Sequence, residues 1–159
     1  MKIKGVKDED FVNYQKPSMF VAFPSCTFKC ERECGQRCCQ NGELAHAPDI
    51  EVSPNALAAR YVGNPITHAL VLGGLEPLDS LPELLKLMEE VRKRTQDDIV
   101  VYTGYTKEEL SQSGALAALA AFPNVLVKFG RYIPGQRKHY DETLGVSLAG
   151  ENQYAEKIS

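Results

Sequence analysis

Met19-Phe20-Val21-Ala22-Phe23-Pro24-Ser25-Cys26-Thr27-Phe28-Lys29-Cys30 opens on a short apolar run and closes on the first two of five cysteines. Pro17 and Pro24 bound the run, so it reads as a buried strand. The cysteines therefore leave the end of that strand in one loop. Cys26, Cys30, Cys34, Cys38 and Cys39 all fall within residues 24–41, and the rest of the chain has none. Thiolates gathered in one loop can converge on a metal centre without help from distant segments.

Outward from this stretch the pattern alternates. Residues 1–17 are polar and lysine-rich and predict at most a short strand near residues 3–6. Ser53-Pro54 predicts a helix start, with Ser as N-cap and Pro at the first helical position. That helix stops before Gly63-Asn64-Pro65. Residues 68–72 read as a second strand ending at Gly73-Gly74. Ser80 and Glu83 predict a capping box for a helix whose Leu84, Leu87, Met88 and Val91 share one face. A third strand, 98–102, ends at Thr103-Gly104. Thr106 and Glu109 predict a second capping box, for an alanine-rich helix to Phe122. A fourth strand, 124–128, ends at Phe129-Gly130-Arg131. Beyond it the period fades into loops, with one more strand near Val146. Apolar strands alternating with helices predict an α/β fold with a mostly parallel sheet. In such sheets sites form at the C-terminal strand edge. The cysteine loop, Gly73-Gly74-Leu75-Glu76-Pro77, Thr103-Gly104-Tyr105 and Gly130-Arg131 all map there.

At 159 residues the chain reads as one domain, 1–159, with the cysteine loop at about 24–42. A formal net charge of -3 gives no electrostatic reason to expect nucleic acid. No run approaches the ~18 apolar residues of a membrane span. The amino terminus lacks an apolar core of signal-peptide length. The expectation is a cytoplasmic protein with reduced thiols, where clustered cysteines point to metal or redox chemistry. Their spacing is Cys-x3-Cys-x3-Cys-x3-Cys-Cys. Structural zinc commonly uses paired Cys-x2-Cys knuckles or a Cys pair followed by a His pair. Neither is present, and His46 is the only nearby histidine. On spacing alone zinc stays open beside an iron–sulfur cluster. Buried free cysteines fit poorly in a loop that carries Lys29, Glu31, Arg32, Glu33, Gln36 and Arg37.

Five pieces, in chain order, resemble the radical S-adenosylmethionine (SAM) enzymes. Within them the chain is similar to the activating proteins of the anaerobic (class III) ribonucleoside-triphosphate reductase. Phe11-Val12-Asn13 is similar to the start of that family's Phe-Val-Asn-Gly-Pro-Gly segment, although Tyr14-Gln15-Lys16-Pro17 replaces its end. Cys26-Thr27-Phe28-Lys29-Cys30 matches the first part of Cys-x3-Cys-x2-Cys. Gly73-Gly74-Leu75-Glu76-Pro77 matches Gly-Gly-Glu/Asp-Pro with one residue inserted. Tyr102-Thr103-Gly104-Tyr105 matches Trp/Tyr-Thr-Gly-Tyr. Leu148-Ala149-Gly150-Glu151-Asn152-Gln153 is similar to Arg-Gly-Ser-x-Asn-Gln. The third family cysteine is absent at its usual spacing. Cys39-Gln40-Asn41 resembles its surroundings better than Cys34-Gly35-Gln36 does, so the segment 31–38 reads as an expanded loop.

The resemblance implies a single-domain partial (βα) barrel of radical SAM type. It implies a [4Fe–4S] cluster held by Cys26, Cys30 and Cys39, with Cys34 the runner-up third ligand and one iron left to SAM. Gly73 and Gly74 would let backbone approach SAM closely. Glu76 would accept from the SAM ammonium, and Thr103 and Gly104 would lie near the cofactor. Without the resemblance these residues read as strand-to-loop turns and a loop carboxylate. Asn152 and Gln153 receive no role, and His68 reads as structural. The implied activity is reductive cleavage of SAM to make a glycyl radical on the large catalytic subunit of anaerobic ribonucleotide reductase. A low-potential donor such as flavodoxin or ferredoxin would supply the electron. The alternatives are a radical SAM enzyme with another substrate, or a non-catalytic iron–sulfur or zinc protein.

Overall fold

The computed structural model describes residues 1–159. Its elements are β1 (Lys2–Ile3), β2 (Gly5–Asp10), β3 (Ser18–Phe23), α1 (Lys29–Cys34), β4 (Ile50–Glu51), α2 (Pro54–Val62), β5 (Ala69–Gly74) and α3 (Leu81–Arg92). They continue with β6 (Asp98–Tyr102), α4 (Lys107–Ser113), α5 (Ala115–Ala120), β7 (Val125–Phe129), β8 (His139–Asp141), β9 (Val146–Leu148) and β10 (Tyr154–Lys157). Short 3-10 turns cover Gly42–His46 and Pro77–Ser80.

Six strands form one open sheet in the order β10-β7-β6-β5-β3-β2. The four inner strands are parallel, and β2 and β10 add antiparallel edges. The inner strands are apolar on both faces because both faces are covered. Leu70, Leu72, Ile99, Val101, Val125 and Val127 pack with α2, α3 and α5 in one core, whereas Ala69, Val71, Val100 and Leu126 face Tyr14, Leu144 and Leu148 on the other side. This period-2 split fixes the register, since a one-residue slip would exchange the two faces. Each fully buried Leu or Val contributes roughly 1.5–3 kcal/mol. On α3, Leu84, Leu87, Met88 and Val91 are buried at helical spacing and seat the helix on the sheet.

Several local expectations need correction. Residues 1–17 hold two strands, and the tail after 131 holds three. Ser80 makes no side-chain cap, because the 3-10 turn Pro77–Ser80 runs straight into α3 and Glu76 caps that turn by accepting from Leu78 N–H. The alanine-rich helix breaks in two at Gly114, whose φ of 79° places it in the left-handed region. The Thr106–Glu109 capping box is formed at α4, and Ser53 caps α2 by accepting from Ala56 N–H. No helix is long and apolar enough to cross a membrane.

Candidate functional site

A cavity of about 430 Å³ opens at the C-terminal edge of the four parallel strands. That volume suits a cofactor-sized ligand. Every inner strand contributes: the loop after β3 brings Cys26, Cys30 and Cys39, β5 brings Gly73 and Gly74, and Glu76 follows. Thr103 and Gly104 come from the end of β6, and Gly130 and Arg131 from the end of β7. Cys26, Cys30, Cys39, Gly73, Gly74, Glu76, Thr103 and Gly104 thus all border this cavity. Cys34 and Cys38 do not border it.

The cysteine loop is tied down on both sides. Thr27 N–H donates to Asp79 Oδ2 at 2.8 Å, and the other Asp79 oxygen accepts from Tyr105 O–H at 2.6 Å. Asn41 Nδ2 donates to the Gly74 carbonyl at 2.7 Å, which joins the end of the loop to the end of β5. Cys39 N–H donates to Glu31 Oε1 at 3.2 Å. Phe28 has φ of 50°, unusual for a bulky residue, and its N–H points at Cys26 Sγ at 3.2 Å. Burial pushes the Cys26 thiol up to about 11, and only the Phe28 amide works against it. Burial and then Cys39 also raise Cys30. Both thiols are thus held toward the protonated form, and a metal centre would displace those protons on binding.

An ionic latch closes the rim. Arg131 Nη2 donates to both carboxylate oxygens of Glu109 at 2.6 Å, and Lys29, between the first two cysteines, pairs with Glu109 Oε1. Burial pushes the Glu109 carboxyl up, but Arg131, Lys29 and the Thr106 amide outweigh it and hold it at about 2. Arg131 also lies 3.4 Å from Glu33, and both cations stand over the Tyr105 ring.

Glu76 and the Gly73-Gly74 pair also tie the framework together. Glu76 is only 6% exposed, and its carboxylate already accepts three hydrogen bonds. Oε1 takes Thr103 O–H at 2.8 Å and Leu78 N–H at 3.1 Å, and Oε2 takes Gly104 N–H at 2.8 Å. With about four lone-pair sites on a carboxylate, one remains for a ligand. Glu76 first of all joins the ends of β5 and β6. Burial pushes it up to about 7 against those bonds. The missing side chains of Gly73 and Gly74 also serve packing, although both glycines border the cavity. A Cβ on Gly74, at φ of 88°, would stand 2.7 Å from Ala22 Cα, and one on Gly73 would stand 3.0 Å from the Phe20 ring.

Sequence reasoning missed Lys128, read only as the last residue of an apolar strand. It borders the cavity, is 7% exposed, and its Nζ donates to the Gly130 carbonyl at 2.7 Å. Burial pulls its ammonium down to about 8, with Glu76 opposing. A lysine inside a strand whose other residues are apolar was the available signal. Gln153 was also underrated: it borders the cavity, donates to the Gly130 carbonyl and accepts from Ala149 N–H. Asn152 Nδ2 donates to the Arg131 carbonyl at 2.8 Å. No histidine borders the cavity.

Three thiols from one loop border one cavity without standing grouped around a common point, and thiolates are the soft donors an iron–sulfur cluster takes. No curated protein and no solved structure matches the chain. A family model described as a 4Fe–4S single cluster domain, associated with radical SAM-type proteins, matches residues 17–149. That match spans most of the molecule, from the start of β3 past β9, and takes in all five cysteines. The chain belongs to the 4Fe–4S single cluster domain family.

Proposed function

We propose that the chain is a radical SAM activating enzyme that generates a glycyl radical on the large catalytic subunit of anaerobic ribonucleotide reductase. The observation that carries the reading is that three of the five cysteines, and not four, border the cavity. Cys26, Cys30 and Cys39 would hold a [4Fe–4S] cluster with one iron left open. In this reading the open six-stranded sheet is the partial (βα) barrel of a radical SAM domain. With SAM bound, the cluster would supply one electron to the sulfonium, so that the C5′–S bond breaks to methionine and a 5′-deoxyadenosyl radical able to take a glycine hydrogen.

The protein's own residues bind, orient and exclude water. Asn41, Asp79 and the Glu109–Arg131–Lys29 latch hold the cysteine loop against the strand ends. Glu76 keeps β5 and β6 together and offers its last acceptor site to the SAM ammonium, with Gly73, Gly74, Thr103 and Gly104 forming the floor. Val12 and Asn13 border the cavity, and Phe11 and Val12 are exposed. The partner's glycine loop would enter there, and a flavodoxin or ferredoxin would supply the electron.

The test is anaerobic reconstitution followed by a SAM cleavage assay and by spin resonance of a co-expressed reductase. The expected result is SAM cleaved to methionine and 5′-deoxyadenosine, with a glycyl signal on the partner. Cleavage without the partner signal would redirect the reading to another substrate. A stable cluster that neither binds nor cleaves SAM would leave a non-catalytic iron–sulfur protein. Glu76 and Thr103 being bonded to each other is the observation that favours this second reading.

A further inference from the structure

Cys34 and Cys38 are the two thiols that the cavity leaves out. Their Sγ atoms lie 2.7 Å apart, inside the roughly 3.5–4.0 Å at which non-bonded heavy atoms settle. Local backbone geometry brings them together. The helix α1 ends at Cys34, and Gly35 caps it at φ of 70° with its N–H donating to the Glu31 carbonyl. This left-handed step reverses the chain, and the three residues after Cys34 are enough to return Cys38 to the helix end. Both cysteines are partly exposed, and Gln36 and Arg37 between them are exposed, so reagents in solution reach the pair.

We propose that Cys34 and Cys38 form a reversible dithiol–disulfide site outside the cavity, oxidised by a low-molecular-weight disulfide. The inference rests on the reading of Cys26, Cys30 and Cys39 as the cluster ligands, which leaves this pair free. One thiolate of the pair attacks the external disulfide, forming a mixed disulfide and releasing one thiol. The second thiolate then attacks the protein sulfur of that mixed disulfide and releases the other thiol. Two protein thiols are oxidised, one external disulfide is reduced to two thiols, and both protons leave with them. Cys38 directly precedes Cys39, so the bridge fixes the backbone next to a cavity thiol. Cys30, four residues before Cys34 in the same loop, is the competing partner whenever it holds no iron.

The experiment treats the cluster-loaded full chain, without oxygen, with excess glutathione disulfide. Free thiols are then alkylated, the digest is mapped by mass spectrometry, and cluster absorbance is followed throughout. The expected product is a Cys34–Cys38 bridge lighter by two hydrogens, with absorbance retained and both alkylations restored by dithiothreitol. In Cys34→Ser, Cys38 should keep a glutathione adduct in place of the bridge. Full alkylation of Cys34 and Cys38 in the wild type with the cluster intact overturns the inference alone, as does a bridge to Cys30 or Cys39. Iron lost in Cys34→Ser but retained in Cys39→Ser overturns the ligand assignment beneath it.

Discussion

At the N-terminal end of the parallel strands Asp98 and Arg92 are well partnered, whereas at the C-terminal end Lys128 and Glu76 are buried with bonding capacity left over. Asp98, at the start of β6, accepts from Tyr14 O–H at 2.9 Å and from Lys16. Arg92 donates to the carbonyls of Pro123, Asn124, Thr95 and Asp97, and so closes the α3–β6 and α5–β7 corners together. At the opposite end Lys128 has three N–H groups and one acceptor, and Glu76 is buried with its pKa displaced toward neutrality. The contrast separates a sheet end built for stability from one kept incomplete for a ligand, as open α/β sheets generally are.

The most severe break should come from the cavity thiols. Cys26→Ala, Cys30→Ala and Cys39→Ala should each drop iron from about four per chain, the stoichiometry of one cluster, toward none. Cys34→Ala, Cys38→Ala and Arg92→Ala should keep it. Iron analysis after anaerobic reconstitution decides, and loss in Cys34→Ala with retention in Cys39→Ala would exchange their roles.

Backbone at the cavity floor comes next. Gly74→Ala should cost about 2–6 kcal/mol in urea unfolding, from left-handed strain and overpacking on Ala22 together. Arg92→Ala, at the other end, should cost about 2–4 kcal/mol by leaving several carbonyls unpaired. Gly74→Ala folding with wild-type stability would show that β3 and β5 can separate at that end.

Glu76 at one end and Asp98 at the other should also respond oppositely to pH. Glu76 is raised from 4.5 to about 7, so the native state holds its proton more tightly than the unfolded chain. Stability should therefore fall as pH rises through that window, by about 3 kcal/mol, and Glu76→Gln should remove the fall. Burial raises Asp98, but Lys16 and Tyr14 outweigh it and hold its carboxyl below the ordinary value. Its contribution is lost as pH drops through about 4 and below. Glu109, in the rim latch, follows Asp98 in sign. Denaturation midpoints across pH separate these, and a Glu76→Gln profile parallel to wild type would rule out the displaced carboxyl.

Smaller effects sharpen the contrast. Lys128→Met should leave stability unchanged or raise it by about 1 kcal/mol, since it removes a buried charge with one partner. It should also erase the gain in stability that wild type shows as pH rises from about 8 to 10.5. A loss comparable to that of Arg92→Ala would class Lys128 as a structural tie. Gly104→Ala should change stability by less than about 0.5 kcal/mol, because its Cβ would meet nothing nearer than Glu76 Oε2 at 3.5 Å.

The inner strands were legible in sequence because burial on both faces makes them continuous apolar runs. The edge strands were not. In β2, Gly5-Val6 is followed by four charged residues, Lys7-Asp8-Glu9-Asp10, and in β10 Glu156 and Lys157 follow Tyr154-Ala155. Charge protects an unpaired edge from joining another chain, and it also hides the strand's period. The site's position was legible because its residues terminate strands. The roles of Gly74 and Glu76 were not, since both depend on contacts with β3 and β6 that no local pattern carries.

The latch between Lys29, Glu109 and Arg131 bears on the order of events during synthesis. Its cysteine-loop side emerges from the ribosome first, and its anchor on β7 roughly a hundred residues later, a delay of about 5–20 s at ordinary elongation rates. During that interval the thiols are outside but their frame is incomplete. The frame around the thiols is therefore complete only after the far side of the sheet has been made.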